Sequence, residues 1–112
     1  MVRVGVDIIE IARIRRSYER FHNRFLNRIF TEGEIEYAFE FKDPFAHLAV
    51  RFAAKEAMFK ATGKLIPYSD IEVIDHPPTI RINGRVKEDI SISLSHSQNQ
   101  AIAIVLWEDS GS

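Results

Sequence analysis

The residues able to do chemistry fall in four places along the chain. Asp7 closes the apolar run Val4-Gly5-Val6-Asp7, and an aspartate so placed either caps the following helix or holds a cation. Glu56 and Lys60 stand four residues apart, so on a helix they are neighbours, at the shoulder of the apolar face rather than opposite it. Desolvating a carboxylate and an ammonium there is costly, so they either pair with each other or face a site. Between Arg13 and Arg28 lie six arginines and one acid, Glu19; on a helix Arg13, Arg16, Arg20 and Arg24 fall within ~80° of one another. Such a stripe is a solvated basic face or a docking surface for a phosphate or an acidic protein. Finally, Ser95, His96 and Ser97 form a polar cluster suited to a phosphate, or the exposed side of an edge strand. A serine-nucleophile triad does not fit: the chain has no Gly-x-Ser-x-Gly elbow, and adjacent strand residues point to opposite sides.

Positioning these groups requires a long helix. From Phe45 to Gly63 the chain reads as one, with Pro44 in its first turn, alanines and lysines through its middle and Gly63 at its left-handed end. At ~100° per residue Phe45, Leu48, Phe52 and Phe59 share a narrow apolar face predicted to meet the core. Met1 to Ile9 reads as a strand, in which Gly5 leaves room for a backbone or ligand to approach. Ile11, Ile14, Tyr18, Phe21 and Phe25 predict one amphipathic helix carrying the arginine stripe. Thr31-Glu32-Gly33-Glu34 has capping-box spacing for a helix running to about Phe41, and Asp43-Pro44 breaks the chain. Strand-like runs follow at Ile71 to Ile74, Thr79 to Asn83, Ile90 to Leu94 and Ala101 to Trp107. The implied class is α+β, an antiparallel sheet packed against a long central helix and additional helices.

Composition narrows the function classes. The 112 residues fit one domain, 1–112, and a hydrophobic fraction of 46% with eight phenylalanines predicts a folded core. No apolar run suits a membrane span and no secretory pattern opens the chain, so the expected location is cytoplasmic, with no membrane partner. Without cysteine there are no disulfides, thiolate zinc sites or cysteine nucleophiles. The net charge of -1 gives no global attraction to nucleic acid, which leaves the arginine stripe as a local feature.

Val4-Gly5-Val6-Asp7, Glu10-Ile11-x-Arg13-Ile14, Arg51-Phe52-Ala53-Ala54-Lys55-Glu56-Ala57-x-x-Lys60-Ala61-x-Gly63 and Ile92-Ser93-Leu94-Ser95-His96 closely resemble, in order and spacing, the holo-acyl-carrier-protein synthases. These are the small trimeric branch of the 4'-phosphopantetheinyl transferases, and the resemblance spans the chain. It implies that fold, a homotrimer with active sites between subunits, and Mg2+-dependent transfer of phosphopantetheine from coenzyme A, the co-substrate, to a serine of an acidic apo acyl carrier protein. Adenosine 3',5'-bisphosphate would be released, and fatty acid biosynthesis served. By this likeness Asp7 and Glu56 hold Mg2+, Glu56 helps to remove the serine proton, and Lys60 binds the leaving phosphate. Arg51, Lys60, Gly63, Ser95, His96 and Ser97 contact coenzyme A, while Arg13, Arg16, Arg20 and Arg24 receive the carrier. Three departures stand out: Gly63-Lys64-Leu65 where Gly-Thr-Gly is common, Asp75-His76-Pro77-Pro78 where Gly-x-Pro is common, and Gln100 where an aromatic is usual.

Two other readings compete. A nucleic-acid-binding α+β module would use the basic helix, but Asp7 and Glu56 would repel a phosphate backbone unless a metal intervened, and no exposed aromatic pair marks an RNA-binding sheet. A metal-dependent nuclease typically places its lysine two residues after the glutamate, whereas Lys60 is four from Glu56.

Overall fold

A computed structural model describes residues 1–111. Its centre is the helix α4 (Pro44–Thr62), whose ends are set by local chemistry. Asp43 accepts a hydrogen bond from the Phe45 amide, Pro44 occupies the first turn, and Gly63 closes the helix in the left-handed region at φ 69°. Ahead of it come strand β1 (Val2–Glu10) and helices α1 (Ile11–Phe21), α2 (Asn23–Ile29) and α3 (Glu32–Phe39). The 3-10 turn Tyr68–Asp70 and strands β2 (Ile71–Ile74), β3 (Thr79–Ile82), β4 (Arg85–Val86), β5 (Ile90–His96) and β6 (Gln100–Glu108) follow. Two antiparallel sheets result, ordered β1-β6-β5 and β2-β3-β4, which bears out the α+β layering. The short β4 was not read from the sequence, and no helix is long and apolar enough to cross a membrane.

The sheet β1-β6-β5 lays one face on α4. Gly5 pairs with Val105, Asp7 with Ala103 and Ile9 with Ala101, and of these six only Asp7 is not fully buried. Gly5 is where the helix comes closest: a Cβ there would stand 2.0 Å from the Ala57 carbonyl oxygen and 2.8 Å from the Ala61 nitrogen. A glycine facing alanines therefore lets β1 lie directly on α4, and carries Asp7 against the helix two residues later. This is the backbone approach that the sequence suggested.

Two elements differ from expectation. The first helix is broken: His22 takes φ 49° and ψ -126°, ending α1 and starting α2, and Phe21 is left exposed. On α4 the surface against the sheet is made by small residues, with Ala49, Ala53, Ala54 and Ala57 fully buried; Phe45, Phe52 and Phe59 flank it half-buried beneath other elements. The close approach of β1 excludes large side chains there. The helix is in fact buried almost all round, and Arg51 and Lys55 are enclosed with it. Lys55 Nζ donates to Glu34 Oε1 at 2.7 Å, the Ile29 carbonyl at 2.7 Å and the Tyr68 carbonyl at 2.9 Å. Glu34 also completes the capping box with Thr31 and accepts from the Val73 amide. Burial pushes the Lys55 ammonium below its ordinary pKa, with Glu34 opposing. Removing one member would strand a buried charge, at a cost of about 3–5 kcal/mol.

Candidate active site

Asp7 and Lys60 meet where β1 crosses α4, with Glu56 one turn back on the helix, and the pairing is not the one that i to i+4 spacing suggests. Lys60 Nζ turns to β1, donating to Asp7 Oδ1 at 3.1 Å and to the Val6 carbonyl at 3.0 Å. Asp7 makes no cap: Glu10 precedes α1 without a side-chain capping bond. Glu56 instead accepts, through Oε1, a hydrogen bond from the Tyr68 hydroxyl at 2.5 Å. Tyr68 was missed by sequence reasoning, since it arrives from the turn after α4 and belongs to no periodic pattern. Its phenol is pushed up to about 12, first by burial, then by the Glu56 bond and charge and by Asp7, with Arg13 opposing. One hydroxyl thus feels Asp7, Glu56 and Arg13 together.

Glu56 and Tyr68 line a groove of about 510 Å³ together with Arg13, Arg24 and Arg28. Arg16 and Arg20 are exposed but outside this lining, and Arg20 stacks on Phe21 at 5.1 Å. Of the arginines on α1 and α2, only Arg15 forms an ion pair among the described residues, at 3.6 Å from Asp43. The stripe is therefore an unneutralised cationic wall beside a carboxylate.

The remaining expected contacts lie elsewhere. Ser95 and His96 line a second cleft of about 330 Å³ with His47, Phe41 and Asp75, where Phe41 stacks on His47 at 3.8 Å. Burial, then Arg51 and His96, push the His47 pKa down. Arg51, expected against phosphate, is 1% exposed; it donates to Asp75 Oδ2 at 3.0 Å and the His47 carbonyl at 3.1 Å, so it reaches this cleft through the residues it holds. Ser97 belongs to a different wall, where its hydroxyl accepts from the Asn99 and Gln100 amides in the β5 to β6 turn. A methyl group added at Gly63 would meet nothing within 4 Å, so the role of this glycine is set by its positive φ.

Among the described residues no set of three or more metal-ligating side chains converges. Asp7 and Glu56 are hard oxygen donors of the kind of which a Mg2+ ion takes one or two, and Asp7 already accepts from the Lys60 ammonium.

Residues 3–105 match the family model of the 4'-phosphopantetheinyl transferase superfamily. A holo-[acyl-carrier-protein] synthase of Thermodesulfovibrio yellowstonii is 47% identical over 92% of this chain and 95% of its own length. The holo-(acyl-carrier-protein) synthase of Bacillus anthracis, crystallised with CoA (3',5'-ADP), superposes with a TM-score of 0.81 at 34% identity, covering 96% of each chain. That of Helicobacter pylori, in complex with coenzyme A, gives 0.75 at 31% identity over 91% of this chain and 96% of the other.

Proposed function

Because the chain belongs to the 4'-phosphopantetheinyl transferase superfamily, among its holo-[acyl-carrier-protein] synthases, we propose that the corner formed by Asp7, Glu56 and Lys60 transfers 4'-phosphopantetheine from coenzyme A to a serine hydroxyl of an apo acyl carrier protein. The observation that carries this reading is the shared groove: Glu56 lines it together with Arg13, Arg24 and Arg28. An acidic carrier docked on those arginines would bring its serine to a carboxylate able to take its proton.

The serine oxygen forms a bond to the β-phosphorus of coenzyme A, and the bond to the bridging pyrophosphate oxygen breaks, releasing adenosine 3',5'-bisphosphate. Glu56 receives the serine proton on the oxygen that Tyr68 leaves free. Lys60, whose side chain is 57% exposed beside that of Asp7 at 17%, offsets charge on the leaving phosphate. Asp7 and Glu56 would hold Mg2+, whose contribution is to neutralise pyrophosphate oxygens. Lys60 then exchanges Asp7 for phosphate, a change that costs little at an exposed ion pair.

The coenzyme's far end fits the cleft of Ser95, His96 and His47, separate in this chain from the Glu56 groove. Active sites between subunits of a homotrimer would bring the two kinds of cleft together. The sheet supports such an assembly: Val2, Val4, Val6 and Ile8 on β1 and Ile104 and Leu106 on β6 form an exposed apolar face. The test is chromatographic detection of adenosine 3',5'-bisphosphate from coenzyme A, Mg2+ and apo carrier. Release is expected only with a carrier that has its acceptor serine; release without that serine would reject the assigned transfer.

A further inference from the structure

We propose that Tyr68 is a positioning residue that holds the Glu56 carboxylate for cation binding by keeping it away from Lys60. The proposal rests on the transferase reading for its catalytic meaning, but its geometry stands on this chain alone. Glu56 has two candidate partners. Lys60 is four residues on, at the spacing where a carboxylate and an ammonium on one helix meet. Tyr68 comes from outside the helix and takes Oε1 at 2.5 Å. With Glu56 so held, Lys60 reaches across to Asp7 and the Val6 carbonyl, and the two carboxylates keep separate partners, Asp7 the Lys60 ammonium and Glu56 the Tyr68 hydroxyl.

The tyrosine is fixed at both ends. Its ring stacks on Phe52, with centroids 5.8 Å apart and planes 20° apart, and meets Phe59 edge-on at 5.3 Å. These two phenylalanines lie one turn before and one turn after Glu56 on α4. Its backbone carbonyl accepts from Lys55 Nζ at 2.9 Å, and that lysine, fully buried, is held at the same time by Glu34 and the Ile29 carbonyl. The preceding Pro67 accepts from the Asp70 amide at 2.9 Å and closes the turn. A phenol anchored by two rings and a buried ammonium loses little entropy on making its bond to Glu56, which is the condition for a positioning contact.

Loss of the hydroxyl should let Glu56 swing to Lys60, forming the pair that the helix spacing favours. Each carboxylate would then be less available to a divalent cation. Tyr68→Phe keeps the ring and its packing, so the protein should still fold cooperatively, with a urea midpoint lowered only by the loss of one hydrogen bond.

The experiment is a Mn2+ titration of the whole protein without substrates, followed by electron paramagnetic resonance, on wild type, Tyr68→Phe, Lys60→Met and the double variant. Tyr68→Phe should weaken Mn2+ binding ~10-fold, the scale of a lost hydrogen bond to a charged group. Lys60→Met should raise Mn2+ affinity by a larger factor in the Tyr68→Phe background than in wild type, because it removes the competitor for Glu56. Equal factors in the two backgrounds, wild-type affinity in Tyr68→Phe, or no Mn2+ uptake by wild type would each overturn the proposal. In carrier modification, Tyr68→Phe should lower kcat with the carrier's KM unchanged. If Mn2+ binding follows the predicted cycle while wild type modifies no carrier, the positioning role stands and the transferase reading fails. If wild type modifies the carrier while Tyr68→Phe neither binds Mn2+ nor turns over differently, the positioning role alone is wrong.

Discussion

Replacing Gly5 by alanine adds one methyl group where strand and helix already touch. At 2.0 Å from the Ala57 oxygen and 2.8 Å from the Ala61 nitrogen, that methyl meets main-chain atoms on the central helix, which cannot rotate away as a side chain would. Restoring ordinary contact requires β1 and α4 to separate locally by more than about 1 Å. Overpacking of a well-packed core costs about 1–3 kcal/mol, and the rigidity of both partners places this case at or above the upper end. The urea midpoint should therefore fall by about 1–2 M. Asp7 lies two residues on, so the same displacement should lengthen its 3.1 Å contact with Lys60 and weaken cation binding. Gly63→Ala is the control: it strains a φ of 69° at about 1–2 kcal/mol but meets no atom within 4 Å, and should leave Mn2+ binding by the remaining folded protein intact. Urea unfolding and Mn2+ titration on both variants provide the assay. A Gly5→Ala protein with wild-type midpoint and wild-type cation affinity would refute the argument that this close approach builds the site.

Charge reversal at Arg13 and Arg24, which line the Glu56 groove, should weaken carrier binding ~10-fold or more while leaving coenzyme A binding intact, and the effect should shrink as salt rises; equal loss of both ligands in calorimetry would contradict the assignment. The Tyr68 phenol, at about 12 against an ordinary 10.0, is protonated more tightly in the folded than in the unfolded chain. Its contribution to stability is therefore full below pH 10 and lost as pH rises from 10 toward 12. Ultraviolet titration should show a late tyrosine step that disappears in Tyr68→Phe, and persistence of that step would reject its assignment to Tyr68. If the proposed homotrimer forms through the exposed apolar face of β1, Val4→Glu should lower the sedimentation coefficient toward that of a monomer; an assembly unchanged by Val4→Glu would place the subunit contact elsewhere.

What could be read from the sequence was largely what short-range chemistry determines. The Thr31 to Glu34 capping box and the Asp43, Pro44 and Gly63 boundaries of α4 depend on neighbours within a few residues, and all are present. The alternation of β5 likewise put isoleucines toward the core and serines outward. Positive φ at His22 carries no such signal, because the residue type does not demand it, so the break between α1 and α2 went unread. The buried charges were hidden for a different reason: Lys55 finds Glu34 21 positions away and Arg51 finds Asp75 24 positions away, contacts that no helical period encodes. The same holds at the site. Asp7, Glu56 and Lys60 were visible as residue types, but the choice of Asp7 over Glu56 as the partner of Lys60 depends on the strand crossing at Gly5 and on Tyr68, both supplied by tertiary packing.

The most direct test of the central claim is the intact mass of an apo acyl carrier protein after incubation with this protein, coenzyme A and Mg2+, beside a Glu56→Ala protein and a chelated sample. The account predicts a gain of one phosphopantetheine with the wild-type protein and metal, and little or none in either control. Full modification by Glu56→Ala, or no gain with wild type while coenzyme A and the carrier both bind, would contradict it.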